Sequence, residues 1–214
     1  MVSLHRVFYG NPGTGKTTVA RIYGRLLKEC GFLSDGDFIE VKPSDLKGQA
    51  VGEAASRTSI ILQQAKGKVL FIDEAYGLDP DRRNNAFGGD VIDALVEQID
   101  GSAGSDMAVV LAGYKPQMES LFRNCQNPGF KRRFNLDEAF LFEDFSDEEL
   151  RKVLKDLIVK EELSIDPATL DHAMKLLITR RRLDDFGNAA ECSALLDRAK
   201  MKLATRKANA GGAG

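Results

Sequence analysis

The rhythm of apolar positions along this chain changes at Phe145. Before it, short unbroken apolar runs alternate with longer stretches in which apolar residues recur every three or four positions. After it, only the helical spacing remains. Residues 4–9 predict a short strand running into glycine. Val19, Ile22, Tyr23, Leu26 and Cys30 predict the apolar face of a helix over 16–30, stopped by Gly31. Residues 38–41 predict a second strand. Pro43, Gly48 and Gly52 mark a loop. Ala54, Thr58, Ile61, Leu62 and Ala65 share one face of a second helix, which Gly67 ends.

The run 68–73 is apolar without alternation up to its acidic end, so both faces of that strand should be covered, as in a parallel sheet between helices. A loop rich in glycine and asparagine follows, then a helix carrying Ile92, Leu95, Val96 and Ile99. Residues 107–111 and 139–142 predict two more strands. Strands alternating with helices predict an α/β domain over 1–145, a three-layer sandwich with a parallel sheet.

Past Phe145, Ser146 and Glu149 have the spacing of a capping box. Leu150, Val153, Leu154, Leu157 and Ile158 line the helix it opens. Pro167 suits the first turn of the next, lined by Leu170, Ala173, Met174, Leu177 and Ile178. Cys192, Leu195, Leu196, Ala199 and Leu203 line a third. The pattern predicts a small all-helical domain over 146–207 and a flexible, glycine-rich tail over 208–214.

Composition removes several function classes. The 214 residues carry 30 basic and 32 acidic side chains, a formal net charge of -2. That balance excludes a whole-chain polyanion binder. Arg198, Lys200, Lys202, Arg206 and Lys207 then read as a solvated helix end, not a nucleic-acid surface. Cys30, Cys125 and Cys192 form no CxxC pair and read as reduced, buried thiols, excluding a disulfide scaffold or zinc module. His5 and His172 have no carboxylate or cysteine at suggestive spacing. No apolar run approaches the about 18 residues of a membrane helix, and the N-terminus lacks a signal-peptide layout. The expectation is an intracellular protein, in the cytoplasm or an organelle, with no membrane partner.

The candidate chemistry lies between the first strand and the first helix. Gly10, Asn11, Pro12, Gly13, Thr14, Gly15, Lys16 and Thr17 fit the P-loop pattern completely, in its strand–loop–helix context. Such glycines let successive backbone N–H groups curl around a polyphosphate at the start of a helix. Lys16 would pair with β- and γ-phosphate oxygens, and the Thr17 hydroxyl would ligate Mg²⁺. The buried strand ends in Asp73 and Glu74. Asp73 would hold Mg²⁺ through water, and Glu74 would take a proton from the attacking water or orient it. The strand 38–41 intervenes in sequence, which suits a sheet with an inserted strand.

Together these motifs resemble an AAA+ ATPase module. Asn11 to Thr18, then Leu70-Phe71-Ile72-Asp73-Glu74-Ala75-Tyr76, Leu111-Ala112-Gly113-Tyr114 and Asn127-Pro128-Gly129-Phe130 are similar to the CbbX-like branch, which includes the red-type Rubisco activase. The resemblance runs from about Leu4 to about Lys207. It implies binding of ATP or ADP with Mg²⁺, and hydrolysis coupled to remodelling of a protein partner, in a ring hexamer or in tandem modules. It also implies an arginine that reaches the neighbouring subunit's γ-phosphate, with Arg133 the first choice and Arg132 the second. Tyr114 stands near the family's sensor position, where a hydroxyl could orient water; a half-buried structural tyrosine is the competing reading.

Three departures stand against the family pattern. The lid helix normally carries an arginine after an Asn-Ala pair; here Ala190 follows Asn188-Ala189, and Arg180, Arg181 and Arg182 read as complementing the end of their own helix. The pore-loop aromatic is replaced by Ala50, which puts threading in doubt. No adenine-covering segment precedes the first strand, which suggests a piece of a longer protein. An active remodelling ATPase therefore competes with a degenerate module that binds nucleotide in a structural or regulatory role. A small-molecule kinase and a clamp-loader-like DNA handler are the remaining classes. The polar loop 77–88, with Arg82 and Arg83, is expected at a subunit boundary.

Overall fold

The computed structural model of the chain describes residues 3–47, 53–82, 85–99, 106–181 and 186–211. Gly48, Ala50, Gly52, Arg83 and Arg182 lie outside the described residues, so the pore-loop reading has no structural counterpart. Two compact units divide the chain. The first takes the residues up to Gly10 and Lys16–Phe142; the second takes Asn11–Gly15 and the residues from Glu143 onward.

The first unit is a five-stranded parallel sheet with helices on both faces. Its strands are β1 (Arg6–Gly10), β2 (Phe38–Val41), β3 (Val69–Ile72), β4 (Ala108–Gly113) and β5 (Phe140–Phe142). Their order is β2-β3-β4-β1-β5, and every pairing is parallel. The strand inserted between β1 and β3 is therefore β4, while β2 lies at the edge. β3 and β4 are buried at every position, as their unbroken apolar runs require.

Two apolar clusters sandwich this sheet. Leu70, Ile72, Val109 and Leu111 face one, and Val69, Phe71, Ala108 and Val110 face the other. Helices α1 (Lys16–Glu29), α3 (Glu53–Gln64) and α4 (Ala86–Gln98) stand where the periodicity put them. The face of α1 differs. Ala20, Gly24 and Leu27 are buried, whereas Val19, Ile22 and Leu26 are 40, 53 and 56% exposed. Close approach explains the difference: a Cβ on Gly24 would lie 2.7 Å from the Gly36 carbonyl and 3.0 Å from Val69. The inward face of α1 takes Ala20 and Gly24 beside Leu27, while Val19, Ile22 and Leu26 face outward. Cys30, expected inside, is exposed past the helix end, while Cys125 and Cys192 are buried.

Three short helices break the expected pattern. α2 (Pro43–Leu46) occupies part of the expected loop, opened by Pro43 in its first turn. α5 (Lys115–Asn124) and α6 (Pro128–Arg133) follow β4, each again with proline in the first turn. His5 is buried, and its Nδ1 accepts from the Val109 N–H at 3.0 Å, a role in joining β1 to β4.

The second unit is built on α7 (Asp147–Lys160), α8 (Pro167–Arg180) and α9 (Ala189–Gly211). Ser146 and Glu149 close the expected capping box, and Asp166 caps α8 by accepting from the Thr169 N–H. Leu150, Leu154, Ile158, Leu170, Met174, Leu177, Phe186 and Cys192 form its core. α9 continues to Gly211, into the stretch expected to be a flexible tail from Ala208. Alanine is the best helix former, and the sequence supplies it at Ala204, Ala208 and Ala210.

Candidate functional site

β1 delivers Gly10 and α1 begins at Lys16, so Asn11–Gly15 is a five-residue loop between them. Gly13 (φ 69°) and Gly15 (φ 94°) take the left-handed region that glycine adopts without penalty. Thr14 is buried, and its Oγ1 donates to the Asn11 carbonyl at 2.8 Å, closing the loop on itself. A Cβ on Gly15 would meet nothing within 4 Å, leaving open space at that residue. Lys16 Nζ donates to the Gly10 carbonyl at 2.9 Å. Burial pushes the Lys16 pKa down, and Asp73 pulls it back up. A partly desolvated ammonium of this kind gains from a phosphate anion. Thr17 is half-buried and Thr18 exposed, both in the first turn of α1.

The parallel pairing of β2 and β3 sets Val41 beside Ile72, and the Asp73 N–H donates to the Val41 carbonyl at 2.9 Å. This register brings Lys42 to the acids. Lys42 is fixed in turn as the cap of α2, its N–H donating to Asp45 Oδ2 at 2.7 Å. Its Nζ donates to Glu74 Oε1 at 2.9 Å. Asp73 Oδ1 accepts from the Glu74 N–H at 3.0 Å, which orients the Asp73 carboxylate.

Glu74 itself sits at φ 52°, ψ 37°, a left-handed conformation that a glutamate rarely adopts. The Lys42 hydrogen bond, first of all, holds the Glu74 carboxyl below the usual range, helped by Tyr76 and Arg82 and opposed by partial burial. The group is thus kept ionised, the state needed to accept a proton. The turn after it is anchored by Asp79, which is buried and accepts from Ser120 Oγ and Asn124 Nδ2, each at 3.0 Å.

Tyr114 follows β4 directly, and its ring lies 5.8 Å from that of Tyr76. Burial, chiefly, raises the Tyr76 hydroxyl to about 12, with Glu74 and Tyr114 adding to it. The Arg82 guanidinium lies 4.9 Å above the Tyr76 ring.

The two arginines of α6 part company. Asn127 caps the helix by accepting from the Gly129 and Phe130 N–H groups, and Phe130 is fully buried. Arg133 turns inward: its Nε donates to the Ile99 carbonyl at 2.7 Å and its Nη1 to the Gly129 carbonyl at 3.2 Å. Arg132 is exposed. Spacing alone could not separate them, because the acceptor on Ile99 lies 34 positions away in sequence.

In the second unit, the arginines near the missing lid cation are occupied. Arg180 Nε pairs with Glu191 Oε2 at 2.9 Å. Arg181 pairs with Asp147 at 2.6 Å and donates to the Phe145 carbonyl. Asn188, read from sequence only as a neighbour of Ala190, instead meets the loop. Its Nδ2 donates to the Pro12 carbonyl at 3.2 Å and to Asp144 Oδ1 at 2.8 Å. A Gly-Asn pair before a helix was the available signal.

Thr17 offers one hydroxyl and Asp73 one carboxylate. Among the described residues no group of three or more His, Cys, Asp or Glu could hold a metal ion. Such a sparse oxygen donor set fits Mg²⁺, which keeps several waters and leans on substrate phosphates instead of an all-protein cage. Among the described residues no helix is long and apolar enough to cross a membrane.

Comparison with known proteins agrees with this geometry. The model of the ATPase family associated with various cellular activities (AAA) matches residues 6–133, and that of the AAA lid domain matches 146–213. Protein CbbX of Cereibacter sphaeroides is 36% identical over 95% of the chain, and protein CfxQ of Xanthobacter flavus is 36% identical over 98%. A chloroplastic ribulose bisphosphate carboxylase/oxygenase activase of Cyanidioschyzon merolae is 34% identical over 95%. The chain spans 64, 65 and 68% of the length of these three. The AAA domain of FIGL-1 in complex with ADP superposes with a TM-score of 0.57 at 20% identity, covering 81% of this chain and 55% of that one. The chain belongs to the AAA ATPase family, with a parallel-sheet nucleotide-binding fold followed by an AAA lid domain, and its relatives are the CbbX and Rubisco-activase proteins.

Proposed function

We propose that this chain binds ATP and ADP with Mg²⁺ and hydrolyses ATP, coupling turnover to remodelling of a protein partner. The observation that carries the reading is the pair at the end of β3: an oriented Asp73, and a Glu74 held ionised by Lys42. Lys16 pairs with phosphate oxygens, the backbone of Gly10–Thr18 cradles them, and Glu74 accepts the proton of the attacking water. Mg²⁺ held by Thr17 and, through water, by Asp73 would neutralise phosphate charge. The Tyr114 hydroxyl helps orient the water.

The cation supplied to a neighbouring subunit is Arg132, because Arg133 is spent on two carbonyls of its own fold. Assembly of identical modules is further supported by the outward apolar residues Val19, Ile22 and Leu26 of α1. The partner of the assembly is a protein; the resemblance to CbbX and Rubisco activase carries that part of the reading.

A second reading is a module that binds nucleotide but turns it over poorly, as a structural or regulatory position in a larger assembly. Ala190 favours it, since Arg180 and Arg181 are already paired within their unit. Steady-state phosphate release by the assembled chain, alongside equilibrium titration with ADP, separates the two. The first reading requires turnover that Lys16→Ala abolishes together with binding. Binding without turnover selects the second.

A further inference from the structure

The second unit holds the phosphate loop by its carbonyl oxygens. Asn188 Nδ2 donates to the Pro12 carbonyl at 3.2 Å, and the Ala189 N–H donates to the Gly13 carbonyl at 3.2 Å. Asn11 Nδ2, at the loop's entry, donates to both oxygens of Asp144, at 3.0 and 3.1 Å. Asp144 Oδ1 also accepts from Asn188 Nδ2, at 2.8 Å. One carboxylate, one side-chain amide and one backbone N–H therefore tie together three consecutive loop residues.

Peptide geometry turns these contacts into a statement about the amides. In a trans peptide, a carbonyl and the following N–H lie in one plane and point in opposite directions, and there are no cis bonds among the described residues. Holding the Pro12 carbonyl aims the Gly13 N–H away from Asn188. Holding the Gly13 carbonyl aims the Thr14 N–H away from Ala189. These are the N–H groups a P-loop turns toward phosphate.

Asn188 is built for this task at a cost. It is fully buried and sits at φ 48°, where asparagine is tolerated better than most side chains. Its Oδ1 accepts from the Phe145 N–H at 2.9 Å, so the amide is bonded at both ends. The approach leaves no room: a Cβ on Gly13 would lie 2.1 Å from the Gly187 carbonyl.

We propose that Asn188 and Asp144 are positioning residues for phosphate binding: Asn188 fixes the Gly13 amide through the Pro12 carbonyl and, by placing the Ala189 N–H on the Gly13 carbonyl, the Thr14 amide, while Asp144 holds Asn188 and Asn11 in place. This rests on the nucleotide reading above. Here the lid region acts on bound phosphate through loop main chain, at a place where Ala190 supplies no cation.

Three variants of the whole chain test it: Asn188→Asp, Asn188→Gly and Asp144→Asn. Asn188→Asp keeps shape but sets an oxygen against the Pro12 carbonyl and Asp144. Asn188→Gly keeps the left-handed backbone and removes the side chain. Titration with a fluorescent ADP should show affinity falling about tenfold or more for Asn188→Asp, the scale of a lost hydrogen bond to a charged group. Asn188→Gly and Asp144→Asn should fall less, with the far-ultraviolet circular dichroism of all three unchanged. Should Asn188→Asp fail to fold, the other two decide.

ADP affinity within twofold of the parent in both would overturn the proposal. Amide exchange without nucleotide gives an independent arm. The Ala189 amide should be protected in the parent and exchange faster in Asn188→Gly; an unprotected Ala189 amide in the parent overturns the proposal. If the parent binds no nucleotide, the functional reading falls, and that exchange result alone decides whether the pins exist.

Discussion

The two units use charge in opposite ways. In the α/β unit, charged groups stand at strand and helix ends and are poised by their neighbours, among them Lys42 for Glu74 and Asp73 for Lys16. In the helical unit, cations are spent internally, Arg180 on Glu191 and Arg181 on Asp147, and the loop is held by a neutral amide, a backbone N–H and the Asp144 carboxylate. The first arrangement suits chemistry and the second suits placement. Packing follows the same division. The sheet is closed on both faces, whereas the helical core borders an apolar cavity of about 170 Å³ lined by Leu154, Ile158, Ile165, Leu176, Leu195 and Leu196.

The contrast can be broken most forcefully at Glu74. Glu74→Gln should lower phosphate release by about 10²- to 10⁴-fold, the usual worth of a general base, with ADP affinity retained. Turnover at the parent rate would remove chemistry from this unit.

Packing supplies the next largest test. Leu111→Ala, in a sheet that cannot collapse, should cost about 4 kcal/mol in denaturant unfolding. Leu154→Ala, beside the existing cavity, should cost about 2 kcal/mol. Equal losses would deny the difference in packing.

Restoring the missing cation comes third. Ala190→Arg should tighten ATP over ADP by about tenfold, as one charge-assisted contact to the γ-phosphate would. Unchanged discrimination would show that the helical unit acts by placement alone.

The smallest effect is a shift in pH dependence. Lys42 lowers the Glu74 pKa, so below that value the base is protonated and turnover falls. Lys42→Met should raise the pKa and move the acid limb of the rate profile to higher pH. An unmoved limb would separate Lys42 from the reacting carboxylate.

Much of this was legible in the residues. The unbroken runs of β3 and β4 announced two-sided burial, and the P-loop pattern with Asp73 and Glu74 marked where the candidate site lies. The inward face of α1 was only partly legible, because periodicity marks the largest apolar residues while the close approach at Gly24 admits small ones beside Leu27. α5 was readable from Met118, Leu121, Phe122 and Cys125, which recur at helical spacing and are buried, yet Pro116 and Pro128 suggest breaks as readily as helix starts. Lys42, Asp144 and Asn188 escaped because their partners are supplied by strand register and by residues up to 176 positions away. Hydrogen bonding over such separations leaves no local pattern.

Adjacent arginines on α6 also carry a consequence for how the molecule can vary. By gripping the Ile99 and Gly129 carbonyls, Arg133 nails the end of a six-residue helix that could not hold its own shape. Lysine at 133 would lose the planar fork that holds two carbonyls at once and let the helix end drift, so arginine and lysine are not interchangeable at this position although its contacts stay within the protein's own fold.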